Sequence, residues 1–187
     1  MNRLPRTTVL LPIDIQQAFN NPAWGERNNP DAERRAAELI AAWRQNGLPI
    51  IHVHHINPRA GSLFNPGAQG SLVKPEAAPL DGEPVVTKDV NSAFIGTDLE
   101  SRLRSQGITT IVTFGLTTDH CVSTTTRMAG NLGFEVYVVE DATATHERTS
   151  PSGRHYTAHE MHDTALASLN GEFAKIVSSA EVLDALA

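Results

Sequence analysis

The chain has one cysteine in 187 residues, Cys121, so no disulfide can close within it. No apolar run approaches the ~20 residues of a membrane-spanning helix. Runs of lysine or arginine are missing too. With 15 Lys and Arg against 21 Asp and Glu, the net charge is −6, which argues against nucleic acid or an anionic membrane as partner. There is no internal repeat, no low-complexity tract and no linker that would divide the chain. The opening stretch "MNRLPRTTVLLPIDI" carries an apolar run too short for a signal peptide, interrupted by Pro12 and Asp14. The expected compartment is therefore the reducing cytoplasm.

What remains suits a globular protein: 40% hydrophobic and 19% charged residues, enough to build a core in one domain over 1–187. "TTVLLPID" (7–14) reads as a buried strand, although Pro12 is awkward in a central one. Residues 29–47 carry helix signals at both ends, with Asn29 as cap, Pro30 in the first turn and Gly47 as stop. Strands follow at 48–55 and 84–88, separated by a Gly- and Pro-rich segment, 56–84, too long for an ordinary connection. A helix over 97–107 is marked by a Thr97/Glu100 capping box. Then come a strand at 109–115, a helix from Cys121, a strand at 134–141, a helix at 155–169, a strand at 173–179 and a closing helix at 180–187. Such alternation predicts an α/β fold: a three-layer α/β/α sandwich around a mostly parallel, six-stranded sheet.

Ligands of open parallel sheets bind at the carboxyl ends of the strands. Three residues with chemical potential fall there: Asp14, Lys88 and Cys121. Cys121 would sit in the first turn of its helix, where unpaired N–H groups and the dipole favour a thiolate. Lys88 would lower the thiol pKa further, and Asp14 could take and return a proton. Taken one at a time, the residues also admit plain readings: an inert buried thiol, a turn aspartate, a solvated lysine.

In order along the chain, "LLPIDIQQAF", "GEPVVTKDVNSAFIGTDLESRL", "GLTTDHCVSTTTRMAGNLGFEVYVVEDATAT" and "SLNGEFAKIVSS" resemble the isochorismatase-like cysteine hydrolases, from about Thr7 to Val177. The resemblance implies a catalytic triad of Asp14, Lys88 and Cys121, with Phe19 lining the substrate pocket. It implies a cis peptide at Leu116–Thr117, which would turn the Thr117 N–H toward an oxyanion beside that of Cys121. The implied reaction is hydrolysis of a small amide, ureide or lactam C–N bond through a thioester, with a small molecule as partner and no cofactor. By family habit the chain would form a homodimer or higher homo-oligomer. Two other functions stay open: isochorismatase-type vinyl-ether hydrolysis, which needs no thiol, and non-catalytic binding on the same fold.

Eight histidines raise the question of a metal. "HVHH" puts His52 and His54 on one face of a strand, and "RHYTAHEMHD" would put His155, His159 and His162 on one helical face. Neither has the spacing of H-E-x-x-H. The related metal-binding nicotinamidases carry Asp-x-His after the second strand, where this chain has His55 and Asn57, so no metal is expected. Trp24 would line the pocket entrance or cover the core, and Phe64 would help roof the pocket or serve packing. His120 is either a pocket contact or a structural residue of the turn.

Overall fold

The computed structural model describes residues 3–186; residues 1, 2 and 187, which the expected domain and closing helix include, lie outside it. Six parallel strands form one sheet in the order β3-β2-β1-β4-β5-β8. They are β1 (Thr8–Ile13), β2 (His52–His55), β3 (Val85–Lys88), β4 (Thr110–Leu116), β5 (Glu135–Ala144) and β8 (Lys175–Val177). Five helices cover the faces: α1 (Ala32–Gln45), α2 (Leu99–Ser105), α3 (Ser123–Asn131), α4 (Ala158–Leu169) and α5 (Ser179–Asp184). No helix among the described residues is long and apolar enough to cross a membrane.

Side chains alternate across a strand, so the sheet feeds two cores. Val9, Leu11 and Ile13 of β1 join Leu103, Val122, Ala129 and Leu166, under α2, α3 and α4. Leu10 joins Leu39, Ile40, Trp43 and Val182, under α1 and α5. This gives the α/β/α sandwich, with every strand pair in the sheet parallel.

Pro12 is accommodated by a gap in one ladder. Leu10 N–H donates to Pro49 O and Asp14 N–H to Val53 O, so the alternate residues of β1 turn their amides toward β2. Pro12 lies between them with no N–H to give. The β1–β2 ladder is correspondingly sparse, and β2 begins only at His52 instead of Leu48.

Other expected boundaries are corrected as well. Helix α1 starts at Ala32 behind Asp31, and Asn29 does not cap it; the Asn29 amide instead donates to Glu140 O and Thr143 O. The Thr97/Glu100 capping box does not form. Thr97 Oγ1 donates back to Ala93 O, and Glu100 pairs with Arg104. True capping boxes occur at Thr157/Glu160 and Ser178/Glu181. His155 is not helical: it lies in β7 (His155–Tyr156), paired antiparallel with β6 (Arg148–Thr149), which removes it from the helical face of His159 and His162.

The long segment after β2 is fastened at several points. Val73 makes an antiparallel bridge with Gln16, Lys74 N–H donates to Ile15 O, and Gln17 N–H donates to Leu72 O. The buried Lys74 ammonium reaches Asn20 Oδ1 at 2.6 Å and Glu33 Oε1 at 2.5 Å. Glu33 also receives Arg27 at 2.5 and 2.7 Å. Burial works to raise the Glu33 carboxyl, but the hydrogen bonds and charges of Arg27 and Lys74 outweigh it and hold the group at about 2. A depressed carboxyl stabilises the fold above its unfolded value of 4.5, and that contribution is lost as pH falls through the window toward about 2. Glu33→Gln should therefore destabilise the protein by ~3 kcal/mol at neutral pH. Urea unfolding of both proteins across this window should show the gap closing on acidification.

Candidate active site

Four adjacent strands, β3-β2-β1-β4, each bring one reactive side chain to their carboxyl ends: Lys88, His55, Asp14 and Cys121. The crevice lies where β1 meets β4, the point at which the chain, having wound outward through β2 and β3, crosses back. Gly115 allows the close approach there. At φ +130°, a Cβ on it would lie 2.0 Å from Ile13 O, the carbonyl next to Asp14. The β4–β5 register shifts between Thr113 and Gly115, and the strand ends in a cis Leu116–Thr117 peptide.

Cys121 does not open an α-helix directly. It lies in a single π-helical turn, Thr118–Val122, that leads into α3. Thr118 Oγ1 and His162 Nδ1 pin this turn to α4 at 2.8 Å, and burial pulls the His162 imidazole down to about 4. Asp119 is held by Thr145 Oγ1 at 2.5 Å and by Arg148 at 3.4 Å. Widened turns of this kind recur at functional sites.

Lys88 Nζ stands at the centre of the cluster. It is 2.6 Å from Asp14 Oδ2, 3.1 Å from His55 Nδ1 and 3.3 Å from Cys121 Sγ. Asp14 is fully buried and Lys88 is 2% exposed. The second carboxylate oxygen, Asp14 Oδ1, is buried and has no hydrogen-bond partner. A carboxylate oxygen of Asp14, a ring nitrogen of His55 and the Cys121 sulfur lie within 4.8 Å of one another, the one such metal-capable group among the described residues. The Lys88 ammonium is in hydrogen-bond contact with all three of these residues.

Burial pushes the Asp14 carboxyl up from 3.8, against the pull of Lys88. Burial and the Asp14 charge push the Cys121 thiol up as well, and the Lys88 ammonium does not reverse this. That corrects the expectation of a thiol lowered by Lys88 and a helix dipole. Both shifts favour the protonated thiol over a standing thiolate and leave the unpartnered Asp14 Oδ1 as a base in the same cluster.

The cluster borders a cavity of about 380 Å³, whose lining includes Asp14, His55, Asn91, Thr117 and Cys121, the side chains Phe19, Trp24, Asn57 and Phe64, and His120. The aromatic wall is continuous: Phe19 lies 5.7 Å from Trp24 and 5.3 Å from Phe64 between ring centroids. Trp24 Nε1 is tied to Ala18 O at 2.9 Å, which fixes the indole face. Phe19, Trp24, Phe64 and His120 thus all reach the cavity, while Lys88 lies beneath it. His120 is half exposed at the rim, 3.7 Å from Asp119.

Three participants were not legible as such in the sequence. In the sequence His55 stands out as a member of "HVHH" and as a departure from a metal motif, yet the strand-end rule that selects Asp14 and Lys88 selects it too. The fully buried Gln16 side chain accepts from His55 N–H at 2.8 Å and donates to His55 O at 3.0 Å and Ser71 O at 2.8 Å. It thereby joins the end of β1 to β2 and to the long segment. Asn91 Oδ1 lies 3.7 Å from Cys121 Sγ, where it can accept from the thiol. Three other histidines have partners outside the Lys88 cluster. His52 bonds Glu83 at 2.8 Å, His155 lies 3.5 Å from Glu147, and His146 stacks against Phe19.

Comparison with known proteins gives the family. The isochorismatase domain model matches residues 8–181. The isochorismatase family protein YrdC of Bacillus subtilis is 43% identical over 176 residues, covering 94% of each chain. The ureidoacrylate amidohydrolase RutB of Klebsiella pneumoniae is 29% identical over 174 residues, covering 74% of each. Among solved structures, an isochorismatase-family protein from Chromobacterium violaceum superposes with a TM-score of 0.97 at 45% identity, covering 100% of this chain and 96% of the other. The chain belongs to the isochorismatase family of hydrolases.

Proposed function

We propose that this hydrolase cleaves a carbon–nitrogen bond of a small, non-peptide amide, ureide or lactam through a thioester on Cys121. The observation that carries this reading is the pairing of a buried thiol with a carboxylate whose one oxygen is held by Lys88 and whose other oxygen is unpartnered. Asp14 takes the thiol proton as sulfur attacks the carbonyl carbon, and the S–C bond forms. The N–H groups of Thr117 and Cys121 receive the oxyanion. The C–N bond then breaks, and Asp14 delivers the proton to the departing ammonia or amine. In the second half, water gives Asp14 a proton and adds its oxygen to the thioester carbonyl. The C–S bond breaks, the proton returns to sulfur, and the carboxylic acid leaves.

The raised position of both ionisable groups fits a proton shuttle better than a standing thiolate. A thiol that is neutral at rest needs its base at hand, and a carboxylate lifted above its ordinary value accepts a proton more readily. The aromatic wall of Phe19, Trp24 and Phe64 would hold the apolar part of the substrate, and Asn57, Asn91 and His120 would meet its polar edge. The amidohydrolase activity named for the RutB relative points the same way.

The test is an ammonia-release screen over amides, ureides, carbamoyl compounds and lactams, with wild type run beside Cys121→Ala. Turnover of at least one compound by wild type and none by the variant is expected. Turnover confined to substrates without a C–N bond would refute the proposal.

A further inference from the structure

We infer that His55 is a positioning residue for this chemistry: a neutral imidazole, with bare Nδ1 and a proton on Nε2, that holds the Lys88 ammonium between Asp14 and Cys121. The role rests on the acyl-transfer reading above; the tautomer follows from geometry alone. An ammonium has three N–H donors and accepts nothing. Lys88 is 2% exposed, so each of its protons needs a partner from the protein. The three neighbours within reach are Asp14 Oδ2, His55 Nδ1 and Cys121 Sγ, at 2.6, 3.1 and 3.3 Å. Nδ1 must therefore present its lone pair, and the ring proton belongs to Nε2.

His55 is built to stay there. It is the register partner of Lys88 on the neighbouring strand, so the two side chains leave the sheet side by side. Gln16 grips its backbone from both sides, and its ring meets Phe64 edge-on at 5.0 Å. The third acceptor matters most in mid-reaction. Once Asp14 holds the thiol proton, Lys88 loses its anionic partner, and the long lysine side chain is kept in place by the imidazole. Protonating His55 would remove that acceptor and set a second cation 3.1 Å from the first. The charged groups facing the ring are Lys88 on β3, Asp89 just beyond it, and Asp14 after β1; the Cys121 thiol comes from the π turn. Burial and the Lys88 charge hold the imidazole below its usual value, against the pull of Asp14 and Asp89.

Nitrogen NMR of the ring in the wild-type protein at neutral pH is the first test, and it does not depend on turnover. A protonated Nε2 with unprotonated Nδ1 is expected; a proton on Nδ1, or an imidazolium, would overturn the inference. The second test is kinetic, on a compound from the ammonia-release screen. His55→Leu should lower kcat ~30-fold or more with KM changed only a few-fold, and His55→Asn, whose Oδ1 falls near the site of Nδ1, should recover to within ~5-fold of wild type. The acid limb of log kcat should have a slope approaching two in wild type, since Asp14 and His55 must both be deprotonated, and approaching one in His55→Asn. Equal kcat for His55→Leu and wild type would refute the role. Should wild type hydrolyse no amide, the acyl-transfer reading fails on the screen, while the ring measurement still decides the tautomer. If His55→Leu does not fold, the wild-type tautomer and the His55→Asn profile decide.

Discussion

Cys121→Ala should abolish amide hydrolysis, with kcat falling by ~10⁴-fold or more, while the protein remains folded. The size follows from the proposed role: with the sulfur gone no thioester can form, and only substrate binding and oxyanion stabilisation remain. The fold should tolerate the change, because alanine removes a single heavy atom from a site 7% exposed and leaves the π turn pinned by Thr118 and His162. A destabilisation of ~1 kcal/mol covers the lost packing. The same variant separates the two chemistries open to this fold. Vinyl-ether hydrolysis needs the aspartate and lysine but no thiol, so a chain of that kind would keep its activity in Cys121→Ala and after thiol alkylation. Circular dichroism and thermal unfolding beside the assay would establish that lost activity is not lost structure.

Lys88→Met should lose ~10³-fold or more in activity, and stability with it. Asp14 is fully buried, and the Lys88 ammonium at 2.6 Å is its charged hydrogen-bond partner. Removing one member of a buried pair leaves an uncompensated charge, typically at a cost of ~3–5 kcal/mol. The pH dependence has a definite sign. The Asp14 carboxyl already lies above its unfolded value of 3.8, so folding favours its protonated form, and stability falls as pH rises through the window between the two values. Without Lys88 that window widens upward. The Lys88→Met protein should therefore gain stability relative to wild type as the solution is acidified below neutrality: the gap narrows because the variant is relieved of a buried charge, whereas for Glu33→Gln it narrows because the wild type loses an ion pair. Urea midpoints at neutral pH and at pH ~5 would show it. An equal loss at both pH values would mean that Asp14 is not the group left uncompensated.

Much of this could be read from residue order. The alternation of strand and helix led to the layered sheet, and the carboxyl-end rule picked out Asp14, Lys88 and Cys121, which meet around one ammonium. The same rule applied to "HVHH" would have added His55, the end of β2. What stayed hidden depends on tertiary context. The Thr97/Glu100 pair has the pattern of a capping box, but Ala93 O captures the Thr97 hydroxyl. Asn29 has the look of a cap, yet two carbonyls of β5 draw its amide away. His155 fits a helical face by spacing and is drawn into a hairpin by Arg148–Thr149. Burial reverses the expected direction of the thiol shift, and depth in a fold is not written in spacing. Asn91 and Gln16 act through distances set by segments far apart in the chain, so only coordinates bring them forward.

The central claim is that the Cys121 sulfur carries the acyl group, and peptide mass analysis of protein quenched in acid during amide turnover tests it most directly. The account predicts an acyl group on the peptide containing Cys121, discharged by hydroxylamine as a thioester is. An acyl group found on a different side chain, or undiminished turnover by Cys121→Ala, would contradict it.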